Sequence, residues 1–385
     1  MPTSQEPNQP RAEAVIDLTA IRHNVATLRA VAGSAEVMAA VKADGYGHGM
    51  VASARAARAG GASWIGVAVI EEAVALRAAG DTGRVFCWLA VPGEPLADAV
   101  AADVDLSASS TGMIAELESA AQAAGRPARV HLKADTGLSR SGAAPEDWTD
   151  VVAAAAKAQA AGHLEIAAVW SHLACSDTPD HPANAAQVEA FERALEIAER
   201  HGIRPPLRHL ANSGGTLALP RTRFDLVRPG IAVFGLSPFG AERPSAALGL
   251  RPAMTLRARL ALVKRVGAGA GVSYGHTYVT PAPTTLGLVP LGYGDGIPRH
   301  VSNRGPVLAA GKRRTIAGRV CMDQFVIDLD GDAAAAGDEV VLFGPGDHGE
   351  PTADDWAAAA DTINYEIVTR IGPRVPRAYT GEVAG

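Results

Sequence analysis

From about residue 35 to residue 235, short apolar runs alternate with longer stretches in which apolar residues recur at helical spacing. The apolar runs are Val37–Val41, Trp64–Ile70, Val85–Leu89, Val104–Leu106, Val130–Leu132, Ile166–Trp170, Leu207–Leu210 and Leu226–Val227. Between them, Met50–Arg58, Glu71–Ala79, Gly112–Ala124, Trp148–Ala161, Ala183–His201 and Ser213–Leu219 are predicted helices. Strand–helix alternation predicts a parallel sheet. Eight such strands over roughly 200 residues fit a (β/α)8 barrel better than an open doubly wound sheet. Ala14–Leu18 and Ala20–Ala32 add one strand and one helix outside that count, and the strand is expected to pair with the C-terminal region.

After about residue 250 the pattern changes. Ala258–Val266, Thr285–Pro290, Arg314–Ala317, Phe325–Leu329 and Glu339–Phe343 are short, rich in Val, Leu and Thr, and separated by Gly, Pro and Asp. Helical spacing returns only at Ala353–Thr362 and Tyr365–Ile371. The expected fold is therefore an α/β chain: a lead-in over residues 1–11, a TIM-type barrel over 12–249, and a mostly-β domain over 250–385. The Pro-rich Leu236–Pro252 segment is the expected linker, and Gly267–Gly271 is read as a β-domain turn because no helical pattern follows it.

At 385 residues the chain has room for two domains. A net charge of −6, with acids and bases interleaved, argues against a nucleic-acid or anionic-membrane surface. No apolar run is long enough for a membrane span. Met1–Arg11 is polar, lacks the apolar core of a signal peptide, and is expected to be disordered. Cys87, Cys175 and Cys321 lie far apart without metal-binding spacing, which fits a reducing cytoplasm and no bound metal.

The chemistry begins at Val41-Lys42-Ala43-Asp44-Gly45-Tyr46-Gly47-His48-Gly49. The chain contains five lysines and makes most of its basic surface from arginine. A lysine at the end of an apolar strand is partly desolvated, which lowers its pKa and frees neutral amine. Neutral amine is the form that attacks an aldehyde to give an imine. Catalytic groups of a (β/α)8 enzyme sit beyond the C-terminal ends of the strands. Lys42 and Tyr46 follow the first strand, Lys133, Asp135 and Arg140 the fifth, and His172 the sixth. His209, Asn212 and Ser213 follow the seventh, and Arg228, Gly230 and Ile231 the eighth. Ser213-Gly214-Gly215 and Arg228-Pro229-Gly230-Ile231 offer a hydroxyl and unhindered N–H groups suited to a phosphate dianion. An imine-forming lysine, a phosphate cradle and nearby arginines together point to pyridoxal phosphate.

Most of these residues lie in Ala40–Gly49, Leu132–Gly142, His209–Ser213 and Val227–Ile231, and further motifs follow at Val272–Gly275, Gly292–Gly296, Gly318–Gln324 and Thr362–Glu366. In this order the segments resemble a bacterial alanine racemase over nearly the whole chain. Phe234 and Leu138 stand where that family commonly has Tyr and Met. The resemblance implies a cytoplasmic isomerase that interconverts L- and D-alanine and supplies D-alanine for peptidoglycan. It implies a homodimer with shared active sites. Lys42 would hold pyridoxal 5′-phosphate as the internal aldimine and act as one base, with Tyr274 of the other subunit as the opposing base. Arg228 would contact the pyridine nitrogen, supported by His209, and His172 would flank the ring. Ser213, Gly230, Ile231 and Tyr365 would hold the phosphate, with Tyr46 and Asn212 also at the cofactor. Arg140 would contact both cofactor and substrate carboxylate, positioned by Lys133, a lysine often carbamylated in the family. Met322 would reach the substrate carboxylate through its N–H, and catalytic Asp323 and substrate-lining Tyr293 would complete the site. A racemase for another amino acid, a barrel-type decarboxylase and a non-enzymatic cofactor carrier are the competing readings. The decarboxylase would be expected to place an acid where Arg228 stands, and the β domain with Tyr274 argues against the carrier.

Overall fold

Strand β1 (Ala12–Asp17) opens the computed structural model, which describes residues 10–381. The expected lead-in therefore falls mostly outside the described residues. Arg11 is the exception: it is fixed by an ion pair to Asp295, because a buried carboxylate there needs a cation.

Eight parallel strands follow: β2 (Glu36–Ala40), β3 (Trp64–Val67), β4 (Arg84–Cys87), β5 (Val104–Ala108), β6 (Ala128–Lys133), β7 (Leu164–Trp170), β8 (Leu207–His209) and β9 (Leu226–Val227). Their hydrogen-bonded order is β8-β7-β6-β5-β4-β3-β2-β9, which is chain order around a barrel. The two ends of that series meet through Asp225 N donating to Arg208 O at 3.0 Å and Arg228 N donating to Ala211 O at 2.9 Å. Strands covered on both faces read as continuous apolar runs, which is why all eight were visible in the pattern.

The connecting helices end at recognisable caps. Ser110 accepts from Met113 N at the start of Thr111–Ala124, and Gly125 at φ 66° closes it. Pro182 opens Pro182–Arg200. One helix, Leu96–Ala101, was not expected, being too short to display a period.

The second set of strands is β10 (Met254–Arg259), β11 (Leu262–Val266), β12 (Gly271–Val272), β13 (Tyr278–Val279), β14 (Thr284–Val289), β15 (Pro306–Ala309), β16 (Lys312–Thr315), β17 (Phe325–Asp328), β18 (Glu339–Phe343) and β19 (Arg377–Thr380). They form a six-stranded sheet ordered β16-β15-β18-β10-β1-β19, a three-stranded sheet β11-β14-β17 and the hairpin β12-β13. The single strand expected over Ala258–Val266 is in fact two. Leu260 N bonds to Asp338 O and Ala261 N to Leu288 O, and the chain passes there from one sheet to another. Helices Ala353–Ala360 and Asn364–Thr369 complete this region.

By contact density the chain separates into two units. One holds Ile21–Tyr46 and Met50–Leu250; the other holds the residues up to Ala20, Gly47–Gly49 and those from Arg251 onward. The proline-rich segment before Leu250 is folded into two short turns, Gly240–Glu242 and Ser245–Leu248. No helix among the described residues is long and apolar enough to cross a membrane.

Candidate functional site

Lys42 follows β2 by two residues and opens a left-handed turn rather than an open loop. Ala43, Asp44, Gly45 and Tyr46 all have positive φ, at 54°, 51°, 63° and 51°. An L-residue in that region costs about 1–2 kcal/mol, so the turn must be held by its surroundings. Ala43 N donates to Glu72 Oε1 at 2.6 Å, Gly45 N to Val41 O at 2.8 Å, and Met50 N to Asp44 Oδ1 at 2.9 Å. The Tyr46 ring packs on Phe234 with centroids 5.2 Å apart. Among the described residues the Lys42 amine has no hydrogen bond or ion pair, and lies 5.8 Å from the Trp88 ring centroid. Burial, and then the charge of Arg140, lower its pKa, against a weaker opposing pull from Glu72.

Lys133, the last residue of β6, is 6% exposed, donates to Ser141 Oγ, and lies 4.2 Å from the Trp170 ring centroid. Burial, with Arg228 and Arg140 nearby, brings it down to about 8. His172, two residues past β7, is driven well below its ordinary value by burial and by Arg228, Arg140, Lys133 and Lys42. That coupling brings five of the expected site residues to one place at the mouth of the barrel.

Arg228 lies just past β9 and is buried. Its terminal nitrogens donate to His209 Nδ1 at 3.0 Å, Ser171 O at 2.8 Å and Leu210 O at 3.3 Å, and Nη2 lies 3.3 Å from His172 Nδ1. Burial pulls it down to about 9, so it is still a cation and a pure donor at neutral pH. Its Nε–H has no partner among the described residues. His209 continues to His131, 3.0 Å away, and His131 to Asp105 at 3.1 Å. Nothing in the sequence spacing gave His131 or Asp105 a role. The available signal was a polar residue inside each of two apolar runs, Val130–Leu132 and Val104–Leu106.

The loops after β8 and β9 are tied together. Ser213 Oγ accepts from Gly230 N at 2.9 Å and from Ala232 N at 3.4 Å. Asn212 Oδ1 caps the helix Ser213–Ala218 by accepting from Gly215 N at 3.0 Å, and also accepts from Ser176 Oγ at 2.7 Å. A Cβ on Gly230 would lie 2.2 Å from Tyr46 Oη, so a side chain there would have to displace the buried Tyr46 ring.

In the other unit, Tyr274 sits in the turn joining β12 to β13 and is 70% exposed. The preceding Ser273 has φ 62° and ψ −170°, a region nearly reserved for glycine, and its Oγ donates to Arg319 O at 2.6 Å. Tyr293 N and Gly294 N donate to Cys321 O at 3.0 Å and Met322 O at 2.8 Å, which joins the two motifs. A Cβ on Gly292 would meet Cys321 O at 2.3 Å. Arg374 pairs with Asp323 at 2.8 Å and with buried Asp295 at 3.2 Å. Tyr365 lies in the helix Asn364–Thr369.

The profile for the alanine racemase N-terminal domain matches residues 16–238, and that for the alanine racemase C-terminal domain matches residues 253–379. The chain belongs to the alanine racemase family. It is 59% identical over 373 residues to the alanine racemase of Thermobifida fusca (strain YX), covering 97% of this chain and 99% of that one. The crystal structure of alanine racemase from D-cycloserine-producing Streptomyces lavendulae superposes with a TM-score of 0.97 at 57% identity, covering 98% of each chain. A third member, from Bartonella henselae, was solved with covalently bound pyridoxal phosphate; it is 30% identical, with a TM-score of 0.85 over 97% of this chain and 100% of that one.

The residues present fit that group. Among the described residues Lys42 offers an unpaired, partly desolvated amine, Arg228 a buried guanidinium with its Nε–H unused, and the loops after β8 and β9 the Ser213 hydroxyl beside Gly230, which suit an aldehyde, a ring nitrogen and a phosphate.

Proposed function

We propose that the protein racemises alanine with pyridoxal 5′-phosphate held on Lys42, working by two bases on opposite faces of the substrate. The observation that carries this reading is the lone Lys42 amine, lowered in pKa and set on a strained turn at the barrel mouth. Arg228 would face the ring nitrogen and His172 would flank the ring. Ser213, Gly230, Ile231 and Tyr365 would hold the phosphate, with Tyr46 and Asn212 also at the cofactor. When bound, the cofactor acts as an electron sink that acidifies the substrate Cα–H.

Lys42 takes or returns the α-proton on one face, and the partner subunit's Tyr274 does so on the other. One base ends each turnover protonated and the other deprotonated, so the reverse reaction uses the same pair. Tyrosine titrates near 10 and needs a nearby cation to act as a base; Arg228 is the group proposed to supply it. Arg228 can only donate, so it leaves the ring nitrogen unprotonated and weakens the electron sink. That suits proton exchange better than decarboxylation. Arg140 and the Met322 N–H take the substrate carboxylate, Lys133 positions Arg140, and Asp323 and Tyr293 line the approach. The active form is a homodimer in the cytoplasm, acting on a small molecule and not on nucleic acid or membrane, and its product supplies peptidoglycan synthesis.

Chiral chromatography of L-alanine incubated with wild type, Lys42→Ala and Tyr274→Phe tests this. D-alanine is expected from wild type and from neither variant. Wild type that binds the cofactor and forms no D-alanine would overturn the assignment.

A further inference from the structure

A single hydrogen-bonded line crosses the inside of the barrel. Asp105, second residue of β5 and fully buried, accepts from Arg84 at 2.6 Å and from Arg129 Nε at 2.8 Å at the N-terminal end of the strands. Its Oδ2 lies 3.1 Å from His131 Nε2; His131 Nδ1 lies 3.0 Å from His209 Nε2; and His209 Nδ1 lies 3.0 Å from Arg228 at the C-terminal mouth. Trp64 of β3 packs edge-on against His131 of β6, and Phe86 of β4 against His209 of β8. Strands three and four places apart can touch in this way only across the barrel interior. Phe86 also stacks on His131 at 4.2 Å, and Trp170 on His209 at 5.6 Å.

The chemistry of the two ends decides every proton between them. A guanidinium only donates and a carboxylate only accepts. His209 Nδ1 must therefore be bare and its Nε2 must carry the proton. His131 Nδ1 must be bare in turn, with its own Nε2–H given to Asp105. An added proton on either ring sets two donors against each other at 3.0 Å. Both histidines are thus held neutral in one tautomer, and burial lowers the pKa of each in the same sense.

We propose that Asp105 and His131 are positioning residues for the reaction: by fixing the Nε2–H tautomer of His209 from the far end of the barrel, they orient Arg228 at the mouth. This rests on the reading of Arg228 as the partner of the cofactor's ring nitrogen. Without His131 the buried Nε2–H of His209 loses its acceptor, which favours moving the proton to Nδ1 even though it there opposes Arg228. The guanidinium then turns while the rest of the mouth stays in place.

The test uses the holoenzyme labelled with ring-¹⁵N histidine, in wild type, Asp105→Asn, His131→Phe and Arg228→Lys. The wild type is expected to show Nε2–H tautomers at both His131 and His209. In His131→Phe, which keeps a ring beside Phe86, the His209 Nε2–H resonance should be lost. There kcat should fall about tenfold, the effect of one misplaced hydrogen bond, with the KM for alanine little changed and the bound cofactor's absorption band shifted. Asp105→Asn retains an acceptor without the charge, and should give a smaller change in the same three readouts. Unchanged tautomer, kcat and absorption in both variants would overturn the proposal if Arg228→Lys alters kcat and absorption. If Arg228→Lys alters neither, the reading of Arg228 itself fails and the proposal with it.

Discussion

Lys133 is the residue on which the structure makes its sharpest quantitative prediction. It is buried, and desolvation together with Arg228 and Arg140 brings its pKa from 10.5 to about 8. At pH 8 about half of the chains then carry a neutral amine, against roughly one in 250 for an ordinary lysine near 10.4. Carbon dioxide adds only to the neutral form, so the site favours a carbamate by roughly a hundredfold over a surface lysine. The carbamate replaces a repelled cation with an anion between two arginines. In carbonate-free buffer at pH 7 the buried ammonium weakens the fold by about 3 kcal/mol, and Lys133→Met, of similar length and uncharged, should recover much of it. The folded-state pKa lies below the unfolded one, so between about pH 8 and 10.5 the unfolded chain binds the extra proton. Wild-type stability should therefore rise across that interval, and the gap to Lys133→Met should close. Thermal unfolding of both proteins, with and without bicarbonate, and intact native mass make the assay. Bicarbonate should add the mass of carbon dioxide to wild type and raise its Tm by several degrees, and should do neither to Lys133→Met. No mass gain, together with a Lys133→Met protein less stable than wild type in carbonate-free buffer, would refute the reasoning.

Ala43→Gly removes the cost of about 1–2 kcal/mol for an L-residue at φ 54° and adds about 0.5–1 kcal/mol of unfolded-chain entropy, so Tm should rise by about one or two degrees; a fall would mean the turn is unstrained. Ser273→Gly likewise relieves a glycine-type conformation but deletes the bond to Arg319 O that anchors the turn of Tyr274. It should keep the fold and lower kcat about tenfold at unchanged KM, and an unaltered kcat measured by chiral chromatography would show that this bond does not aim Tyr274.

The barrel was legible because strands covered on both faces are mostly apolar, and each of the eight runs from Val37–Val41 to Leu226–Val227 overlaps one of its strands. Two-residue strands such as β12 and β13 carry no period, so the hairpin that presents Tyr274 was visible only through the family motif Val272–Gly275. The left-handed turn after Lys42 had one glycine, Gly45, to announce it; Ala43, Asp44 and Tyr46 are held there by Glu72, by the Met50 N–H and by Phe234, partners remote from the motif or beyond it. Asp105 and His131 look like flaws in buried strands when read along the chain. They make sense only around the barrel, where β5, β6 and β8 bring them into line with Arg228. The same geometry explains the charge of the site. Lys42, Lys133, Arg140 and Arg228 all act on His172, while among the described residues Glu72 opposes the lowering of Lys42 and Asp135 that of Lys133. Repulsion among four cations, three of them (Lys42, Lys133 and Arg228) partly or fully desolvated, is not how a barrel mouth gains stability. It is relieved by anions placed among them: the proposed cofactor would bring a phosphate and a phenolic oxygen, the substrate a carboxylate, and carbon dioxide would convert Lys133 itself into an anionic carbamate. On this reading the mouth is built for its ligands at the expense of the empty fold, and Arg228, tethered through the barrel to Asp105, is the cation whose direction cannot be left to them.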